Sequence, residues 1–287
     1  MKIALTGSTG VLGKTFFRKF NKKYSFTFFS DRVENSAALE DWIQKEKPDA
    51  VLHFAALVPT SICEQNPSKA ILSNVIGTSH LLQAVYHHCP SAWIFIASSS
   101  HVYANSTQMI SEASKTEPIT FYGLTKLQQE QTALYLAGLW KLNVCVGRIF
   151  SYSAQDQKDN YFIPSVVRKL FRAAPSDKLQ FFGGGNVRDF LTAEDVVVAI
   201  AKLMKGKVSG IFNICSGKGR KIENIILDIQ KVLGRMDLKI QVEKDKNKSK
   251  LIGSNKKLVS KIYYTPEFDL KKITLQIAER LKHADRN

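Results

Sequence analysis

The stretch KIALTGSTGVLG, residues 2–13, decides the fold that we expect for this chain. A short apolar run typical of a buried strand comes first, and Gly7, Gly10 and Gly13 follow it at the start of a helical segment. A strand that turns through glycines into a helix leaves backbone N–H groups free to bind a pyrophosphate. We therefore predict a dinucleotide-binding turn, formed by Gly7, Thr9, Gly10, Val11, Leu12 and Gly13. An ordinary strand–helix turn is the alternative interpretation.

Apolar runs alternate with longer helical segments along the first half of the chain. The runs KIALTG, FTFFS, AVLHFAA, AWIFIAS and NVCVGRIF are predominantly apolar, as strands buried on both faces require. This alternation predicts an α/β fold with a Rossmann-like, doubly wound parallel sheet, which binds ligands at the carboxyl ends of its strands.

The pattern changes after Phe150, where a polar stretch, a helical segment and a glycine-rich turn follow one another. We predict a smaller, discontinuous α+β substrate-binding lobe that faces the sheet across a cleft. The dinucleotide-binding domain then comprises residues 1–150 plus about 187–213, and the second lobe comprises residues 151–186 plus 214–287.

The composition is that of a globular protein rather than a disordered or fibrous one, with 44% hydrophobic and 23% charged residues. Lys and Arg outnumber Asp and Glu by 41 to 25, which gives a formal net charge of +16. Part of the excess lies in KDKNKSK, residues 244–250. Because this run holds no aromatic residue, a solvated surface is favoured, and we expect no nucleic-acid partner. An anionic small substrate is another use for the positive charge.

No apolar run approaches the roughly 18–20 residues of a membrane-spanning helix, and glycines interrupt the apolar N-terminus before a secretion signal forms. We therefore expect a cytoplasmic protein without a membrane partner. The four cysteines form no CxxC pair, so we expect buried thiols and no metal site.

Asp31 and Arg32 follow the predicted second strand, where the adenosine ribose lies in dinucleotide-binding folds. An acidic side chain there accepts hydrogen bonds from the ribose and favours NAD, whereas an arginine meets the 2′-phosphate of NADP. We expect NAD and leave NADP open. An exposed Asp–Arg turn is the third interpretation.

A second constellation combines the strand-terminal run SSSHVY, residues 98–103, with Tyr122 and Lys126. Tyr122 and Lys126 share one face of a predicted helix. An ammonium beside a phenol favours the phenolate, which takes a proton from a substrate hydroxyl while hydride leaves the same carbon. A serine at the strand end holds that oxygen by a hydrogen bond.

These motifs together resemble the extended short-chain dehydrogenase/reductases, the NAD(P)-dependent epimerase/dehydratase family of nucleotide-sugar enzymes. The resemblance covers nearly the whole chain and includes, in the family's order, GSTGVLG, HFAA (53–56), NVIGT (74–78), SSSHVY, YGLTK (122–126), GRIF (147–150), RDFLTAEDV (188–196) and FNICSG (212–217). It implies that Ser99, Tyr122 and Lys126 form the catalytic triad. It also implies a nucleotide-sugar substrate and a homodimer, paired through the helices that hold residues 72–85 and 122–136.

The resemblance further assigns Ala55 and Ala56 to the cofactor site, and Arg188 to the diphosphate of the substrate. Ser99 and Ser100 are assigned to the substrate site. Tyr161 stands where many members have an Asn that contacts substrate, and it is a candidate to stack on the sugar or base, with a packing role as the alternative.

Family 4,6-dehydratases carry an Asp-Glu pair after the catalytic hydroxyl, where this chain has Ser100 and His101, so we do not expect that reaction. His101 is a candidate acid/base, with a packed histidine as the alternative. Arg148 in the GRIF strand is expected to be structural rather than a ligand contact.

Three functions then fit the sequence. The first is a nucleotide-sugar 4-epimerase, in which bound NAD takes hydride from C4 and returns it to the other face, with Tyr122 as the acid/base. The second is an NADPH-dependent reductase, or epimerase/reductase, of a 4-keto-6-deoxy nucleotide sugar. The third is a non-catalytic nucleotide-binding regulator, against which the complete triad argues. We place the epimerase narrowly first because Asp31 favours NAD.

Overall fold

The computed structural model describes residues 1–58, 60–245 and 248–284. The strands are β1 (Lys2–Thr6), β2 (Ser25–Phe28), β3 (Ala50–His53), β4 (Trp93–Ser99), β5 (Asn143–Ile149), β6 (Ser151–Ser153), β7 (Lys178–Gly184), β8 (Val187–Thr192), β9 (Gly210–Ile214), β10 (Gly219–Lys221), β11 (Lys239–Lys244) and β12 (Lys250–Leu251). The α-helices are α1 (Val11–Phe20), α2 (Ser36–Glu46), α3 (Thr60–Gln65), α4 (Pro67–Ile71), α5 (Gly77–His88), α6 (Phe121–Trp140), α7 (Phe162–Arg172), α8 (Ala193–Lys205), α9 (Ile222–Val232), α10 (Lys256–Ile262) and α11 (Leu270–Ala284). A π-helix (Leu72–Ile76) precedes α5, and a 3₁₀ turn (Ser100–Val102) follows β4.

Six parallel strands form the central sheet, in the order β2–β1–β3–β4–β5–β9. The chain starts at β1, forms the β2 edge beside it first and then extends the sheet in the opposite direction to β9, which confirms the doubly wound, Rossmann-like prediction. The five apolar runs become β1 to β5. The expectation that all five are buried on both faces is wrong for β2, because it is an edge strand in which Ser25 and Phe28 are exposed.

Helices cover both faces of the central sheet. On one face, α1, α8 and α10 contribute Phe16, Val197 and Leu258 to one apolar cluster. On the other face, α2, α5 and α6 contribute Leu39, Leu82 and Ala133. The carboxyl ends of the strands stay uncovered by these helices and face the remaining elements.

The remaining elements pack beside those carboxyl ends. A second sheet contains β10, β8 and β12, with β6 also paired to β8, and β11 pairs with β7. Helices α7, α9 and α11 form their own apolar cluster with β7 and with Phe190 of β8. Strand β8 thus lies in the second sheet, although its residues belong to the predicted dinucleotide-binding domain. The division of the chain into two domains stays a prediction.

Other sequence expectations concern the surface and the cysteines. All four cysteines are buried free thiols, as predicted. Within the described residues, we find no helix of the length and apolarity that crossing a bilayer requires. In the basic run 244–250, Lys246 and Asn247 lie outside the described residues.

Candidate active site

A cavity of about 950 Å³ lies at the carboxyl ends of β1, β3, β4 and β5. Residues of the second sheet and of α7 close its far side. The predicted site residues that line it are Gly7, Thr9, Gly10, Val11, Leu12, Gly13, Ala55, Ala56, Ser99, Ser100, His101, Tyr122, Lys126, Tyr161 and Arg188. The fold therefore brings together residues that are far apart in sequence, and it leaves only Asp31 and Arg32 of the predicted set outside the lining.

The glycine-rich turn leads directly from β1 into α1. Gly10 is the N-cap of α1, and no side chain caps the first backbone N–H groups. A Cβ atom at Gly13 would lie 2.4 Å from the carbonyl oxygen of Gly7, so the turn closes this tightly only with glycine at that position. Uncapped N–H groups at a helix N-terminus, with the positive end of the helix dipole, suit a pyrophosphate.

Asp31 and Arg32 are exposed beyond the end of β2. The Asp31 carboxylate accepts hydrogen bonds from the backbone N–H of Arg32 and from Nδ2 of Asn35, both at 2.7 Å. Asn35 in turn caps α2 by accepting from the N–H of Ala38. Asp31 thus takes part in a turn before α2. Its exposed carboxylate has acceptor sites left over, and its hydrogen bonds to an adenosine ribose stay a prediction.

The start of α6 places the catalytic candidates. Thr120 caps this helix by accepting a hydrogen bond from the N–H of Gly123 at 3.1 Å. A Cβ at Gly123 would lie 2.3 Å from the carbonyl oxygen of His101, so glycine lets the first turn of α6 approach the chain after β4. Tyr122 thereby comes within hydrogen-bonding reach of the Ser99 hydroxyl, which also accepts from the N–H of His101 at 3.2 Å.

Burial dominates the protonation of the two central groups. It raises the pKa of the Tyr122 phenol to about 12, against the opposing effect of the Ser99 hydrogen bond. It also lowers the pKa of the Lys126 ammonium to about 7, against the attraction of Glu130. The sequence predicts a phenolate favoured by Lys126 together with the positive charge of an oxidised nicotinamide. In the chain without cofactor, burial favours the neutral phenol, and the effect of a bound cofactor stays a prediction.

Ser98 and Ser99, the last two residues of β4, have different partners. Ser98 donates to the carboxylate of Glu130, which is itself paired with Arg148, and all three are buried. Arg148 lies outside the cavity lining and also donates to Tyr103 Oη at 2.9 Å, which confirms its structural role. Ser99 is the serine whose hydroxyl forms a hydrogen bond with the Tyr122 phenol.

His101 lines the cavity beside Tyr122. The two ring centroids are 5.6 Å apart and the ring planes meet at 71°. Desolvation, and then the positive charge of Arg188, lower the pKa of the His101 imidazole. His101 is therefore placed to touch a substrate as a neutral imidazole at pH 7, while its part in catalysis stays a prediction.

Arg188 reaches the cavity from β8 in a fixed orientation. Its Nη1 donates to the carbonyl oxygens of Val187 at 2.9 Å and Ser249 at 3.0 Å, and its Nη2 donates to Ser249 Oγ at 2.6 Å. A guanidinium held in this way presents its charge to the cavity at little further loss of side-chain entropy.

Tyr152 in β6 is a cavity residue that the sequence did not predict. It lines the cavity and lies close enough to Tyr122 and Tyr161 for their charges to interact. Burial raises the pKa of Tyr152, and no described residue forms a hydrogen bond with its hydroxyl. The signal in the sequence is an aromatic residue in the polar stretch after Phe150.

Asn74 is a second residue whose role the sequence did not give. It lies in the π-helix, is fully buried, and accepts from the N–H of Leu57 at 2.7 Å. Its Nδ2 donates to Leu57 O at 3.1 Å and to Thr125 Oγ1 at 3.0 Å. Asn74 thus fixes the cavity-lining segment after β3 to α6, and π-helical turns are frequent at functional sites.

Comparison with known proteins places this geometry in context. The model of the NAD dependent epimerase/dehydratase family matches residues 3–215. Three curated relatives are similar over most of their length. GDP-6-deoxy-D-talose 4-dehydrogenase of Aggregatibacter actinomycetemcomitans is 27% identical over 78% of this chain and 78% of its own. GDP-6-deoxy-D-mannose reductase of Pseudomonas aeruginosa is 27% identical over 79% and 78%. UDP-glucose 4-epimerase of Rhizobium leguminosarum bv. trifolii is 26% identical over 84% and 80%.

Solved structures share the fold. RMD from Pseudomonas aeruginosa, complexed with NADPH, superposes with a TM-score of 0.89 at 24% identity, over 97% of this chain and 99% of that one. The UDP-glucose 4-epimerase of Thermus thermophilus, in complex with NAD, gives a TM-score of 0.84 at 16% identity, over 96% and 98%.

Proposed function

The chain belongs to the NAD dependent epimerase/dehydratase family, and we propose that it transfers hydride at C4 of a nucleotide-linked sugar, with Tyr122 as the acid/base. One observation carries this proposal: the Tyr122 phenol and the Ser99 hydroxyl meet in a cavity whose other end is the glycine-rich turn. Lys126 is buried one helical turn beyond Tyr122. A protein that only binds nucleotides has no use for a desolvated phenol and ammonium beside a serine hydroxyl.

The residues of the turn fit a nicotinamide dinucleotide. The uncapped start of α1 and the tight approach of Gly13 to Gly7 suit its pyrophosphate, and Ala55 and Ala56 add small side chains to the same wall. When bound, the cofactor supplies the hydride donor or acceptor.

Three groups of the site, Tyr122, Ser99 and Lys126, have roles in the direction of reduction. Tyr122 enters as a neutral phenol and donates its proton to the sugar oxygen, which becomes negative as C4 is reduced. The Ser99 hydroxyl then hydrogen-bonds the phenolate that remains. Lys126, with a pKa of about 7, exchanges protons readily near neutral pH and can carry the replacement. Positioned proton transfer of this kind contributes about 10²- to 10⁴-fold to a rate.

Two versions of the reaction follow. We infer first a C4 reductase or dehydrogenase of a 6-deoxy nucleotide sugar, because two relatives at 27% identity carry names of this kind. The 4-epimerase, which the sequence placed first, is the second version, and a relative at 26% identity over 84% of the chain supports it.

The far wall of the cavity would hold the substrate. Arg188 is oriented to pair with the diphosphate through its planar donors. Tyr152 and Tyr161 offer aromatic faces and hydroxyls to the sugar or base, with Ser100 and His101 opposite.

We also propose a homodimer. Helices α5 and α6 lie side by side and leave Tyr86, Tyr135 and Leu139 exposed, at 40%, 74% and 62% of their surfaces. Covering such a face by a second copy removes apolar surface from water. Light scattering of the purified protein measures the mass.

A cytoplasmic location and the lack of a nucleic-acid partner stay predictions.

Cofactor content distinguishes the two versions. The protein is purified without added cofactor and denatured, and any released nucleotide is identified by mass. An epimerase regenerates its cofactor in every turnover and retains it, so near-stoichiometric NAD would favour that version. An empty protein that binds NADPH and oxidises it with a 4-keto-6-deoxy nucleotide sugar is the expected result. No affinity for either cofactor would leave the non-catalytic regulator.

A further inference from the structure

Three side chains of types that can ligate a metal converge on helices α2 and α5, which cover the central sheet, and they lie away from the cavity. Glu40 lies in α2, and His87 and His88 form the end of α5. Glu40 Oε1 lies 2.8 Å from His87 Nδ1 and 2.7 Å from His88 Nε2. Among the residues that the structure describes, this is the one group of three His, Cys, Asp or Glu side chains whose ligand atoms all lie within 4.8 Å of one another.

The donor set has a definite chemical preference. Two imidazole nitrogens and one carboxylate oxygen suit Zn²⁺ and neighbouring divalent transition metals, whereas Mg²⁺ and Ca²⁺ prefer oxygen alone. With bonds of about 2.0–2.1 Å at tetrahedral angles, such ligands lie about 3.3 Å apart. The observed separations of 2.7 and 2.8 Å therefore need to widen by only about half an ångström.

The surroundings allow that widening and favour a cation. The three side chains are part exposed, at 33% for Glu40, 43% for His87 and 20% for His88, so the metal has access and a water can complete its shell. The histidines lie in the last turn of α5, where the negative end of the helix dipole attracts positive charge. Helices α2 and α5 already pack together, which fixes the backbones that carry the ligands.

We propose that Glu40, His87 and His88 form a site for a divalent transition metal of the Zn²⁺ class, which fastens α2 to α5. None of the three lines the cavity, so the site is separate from the proposed chemistry at C4. Its consequence is greater stability of the helical layer that covers one face of the central sheet.

Calorimetric titration of the tag-free, chelator-treated full-length protein with ZnCl₂ tests the proposal. We expect one equivalent of Zn²⁺ per chain and a Zn²⁺-dependent rise in Tm, with no response to MgCl₂. His88→Gln and Glu40→Gln should each weaken binding about tenfold or more. His283→Gln is the matched control, because His283 lies 3.4 Å from the carboxylate of Glu279 without a third ligand beside them among the described residues. This variant should bind Zn²⁺ as the wild type does.

Two results would overturn the proposal: no binding or Tm change at millimolar Zn²⁺, or equal binding by the wild type and the His88→Gln and Glu40→Gln variants. Circular dichroism without metal checks that the variants fold. If His88→Gln does not fold, Glu40→Gln, at a part-exposed position on α2, tests the proposal by itself.

Discussion

Arg148 holds the carboxylate of Glu130 by three hydrogen bonds, from Nε to each oxygen at 3.0 Å and from Nη2 to Oε2 at 2.7 Å. Both side chains are at most 5% exposed, and Ser98 donates to the same carboxylate. The pair joins α6, which carries Tyr122 and Lys126, to β5 at the edge of the cavity. A buried charge that loses its partner has no water to replace it, so the pair is costly to break.

Glu130→Gln is predicted to lower the free energy of unfolding by about 3–5 kcal/mol, because it leaves the charge of Arg148 buried and unpaired. The control is Glu117→Gln, which removes the exposed partner of Lys115 and should cost less than about 1 kcal/mol. Urea unfolding measures both. Equal losses in the two variants would show that burial adds nothing to the Glu130–Arg148 pair.

His53 is held as a neutral imidazole between two threonines. Thr78 donates its single proton to Asn74 O at 2.8 Å, so His53 Nε2 donates to Thr78 Oγ1 at 2.9 Å, and Nδ1 accepts from Thr6 at 2.7 Å. Burial lowers the pKa of His53 to about 3 from 6.5. As the pH falls, the His53 imidazole therefore binds a proton in the unfolded chain before it does so in the folded chain. The stability that neutral His53 contributes is complete above pH 6.5 and is lost as the pH falls toward 3.

His53→Leu is predicted to be less stable than the wild type at pH 7, since the hydroxyls of Thr6 and Thr78 lose their partner at about 1–3 kcal/mol for each group left unpaired. The difference should shrink as the medium becomes acidic, because only the wild type then loses stability through His53. Unfolding curves across the acid range measure it. A difference that does not change with pH would refute the neutral tautomer.

Gly13→Ala is predicted to abolish dinucleotide binding, because the new methyl would lie 2.4 Å from Gly7 O and force the turn open. Gly138→Ala in α6 is the control, since a Cβ there meets nothing within 4 Å. It should leave binding unchanged and stabilise the helix by up to about 1 kcal/mol. Fluorescence titrations with NADPH and NAD compare the two variants. Unchanged affinity in Gly13→Ala would show that the cofactor does not bind at the glycine-rich turn.

Lys126 is predicted to oppose folding at neutral pH. Between its folded pKa of about 7 and its ordinary 10.5, the unfolded chain holds a proton that the folded chain releases, so wild-type stability rises with pH over this window. Lys126→Met should therefore exceed the wild type in stability at pH 7. The gap should narrow toward pH 10.5 by at most about 1.4 kcal/mol per unit. A gap independent of pH would show that the ammonium is not desolvated.

The fold was largely predictable because its signals are local. The glycines that follow β1, and the apolar runs that became β1 to β5, are each contained in about a dozen residues or fewer. Burial of a whole strand is not local, so the apolar run of β2 predicts burial on both faces although the strand lies at the edge of the sheet. Its position at the edge depends on what pairs beyond it.

The site was predictable where a motif carries its own geometry. Tyr122 and Lys126 face the same side because they share one helix, and Ser99 ends a strand beside them. The protonation of Tyr122 depends on burial by distant segments, and the sequence argument had only the neighbouring charge. Asp31 has the expected position along the chain, and its two hydrogen bonds within its own turn depend on the local conformation that the structure adds.

Contacts between distant residues were beyond sequence reasoning. Tyr152 reaches Tyr122 only through the packing of β6 beside the cavity. Likewise, Glu40 and His87 are 47 residues apart, so the cluster has no short metal-binding motif in the sequence, and the sequence predicted no metal site.

The central claim is that Tyr122 transfers the proton when hydride moves at C4, and Tyr122→Phe tests it most directly. The measurement is single-turnover NADPH oxidation with a 4-keto-6-deoxy nucleotide sugar, alongside the Kd for NADPH. We predict a rate lowered by about 10²- to 10⁴-fold with cofactor affinity nearly unchanged, because only the proton donor is removed. A variant that turns over at the wild-type rate would contradict the mechanism and assign the proton to another group in the cavity.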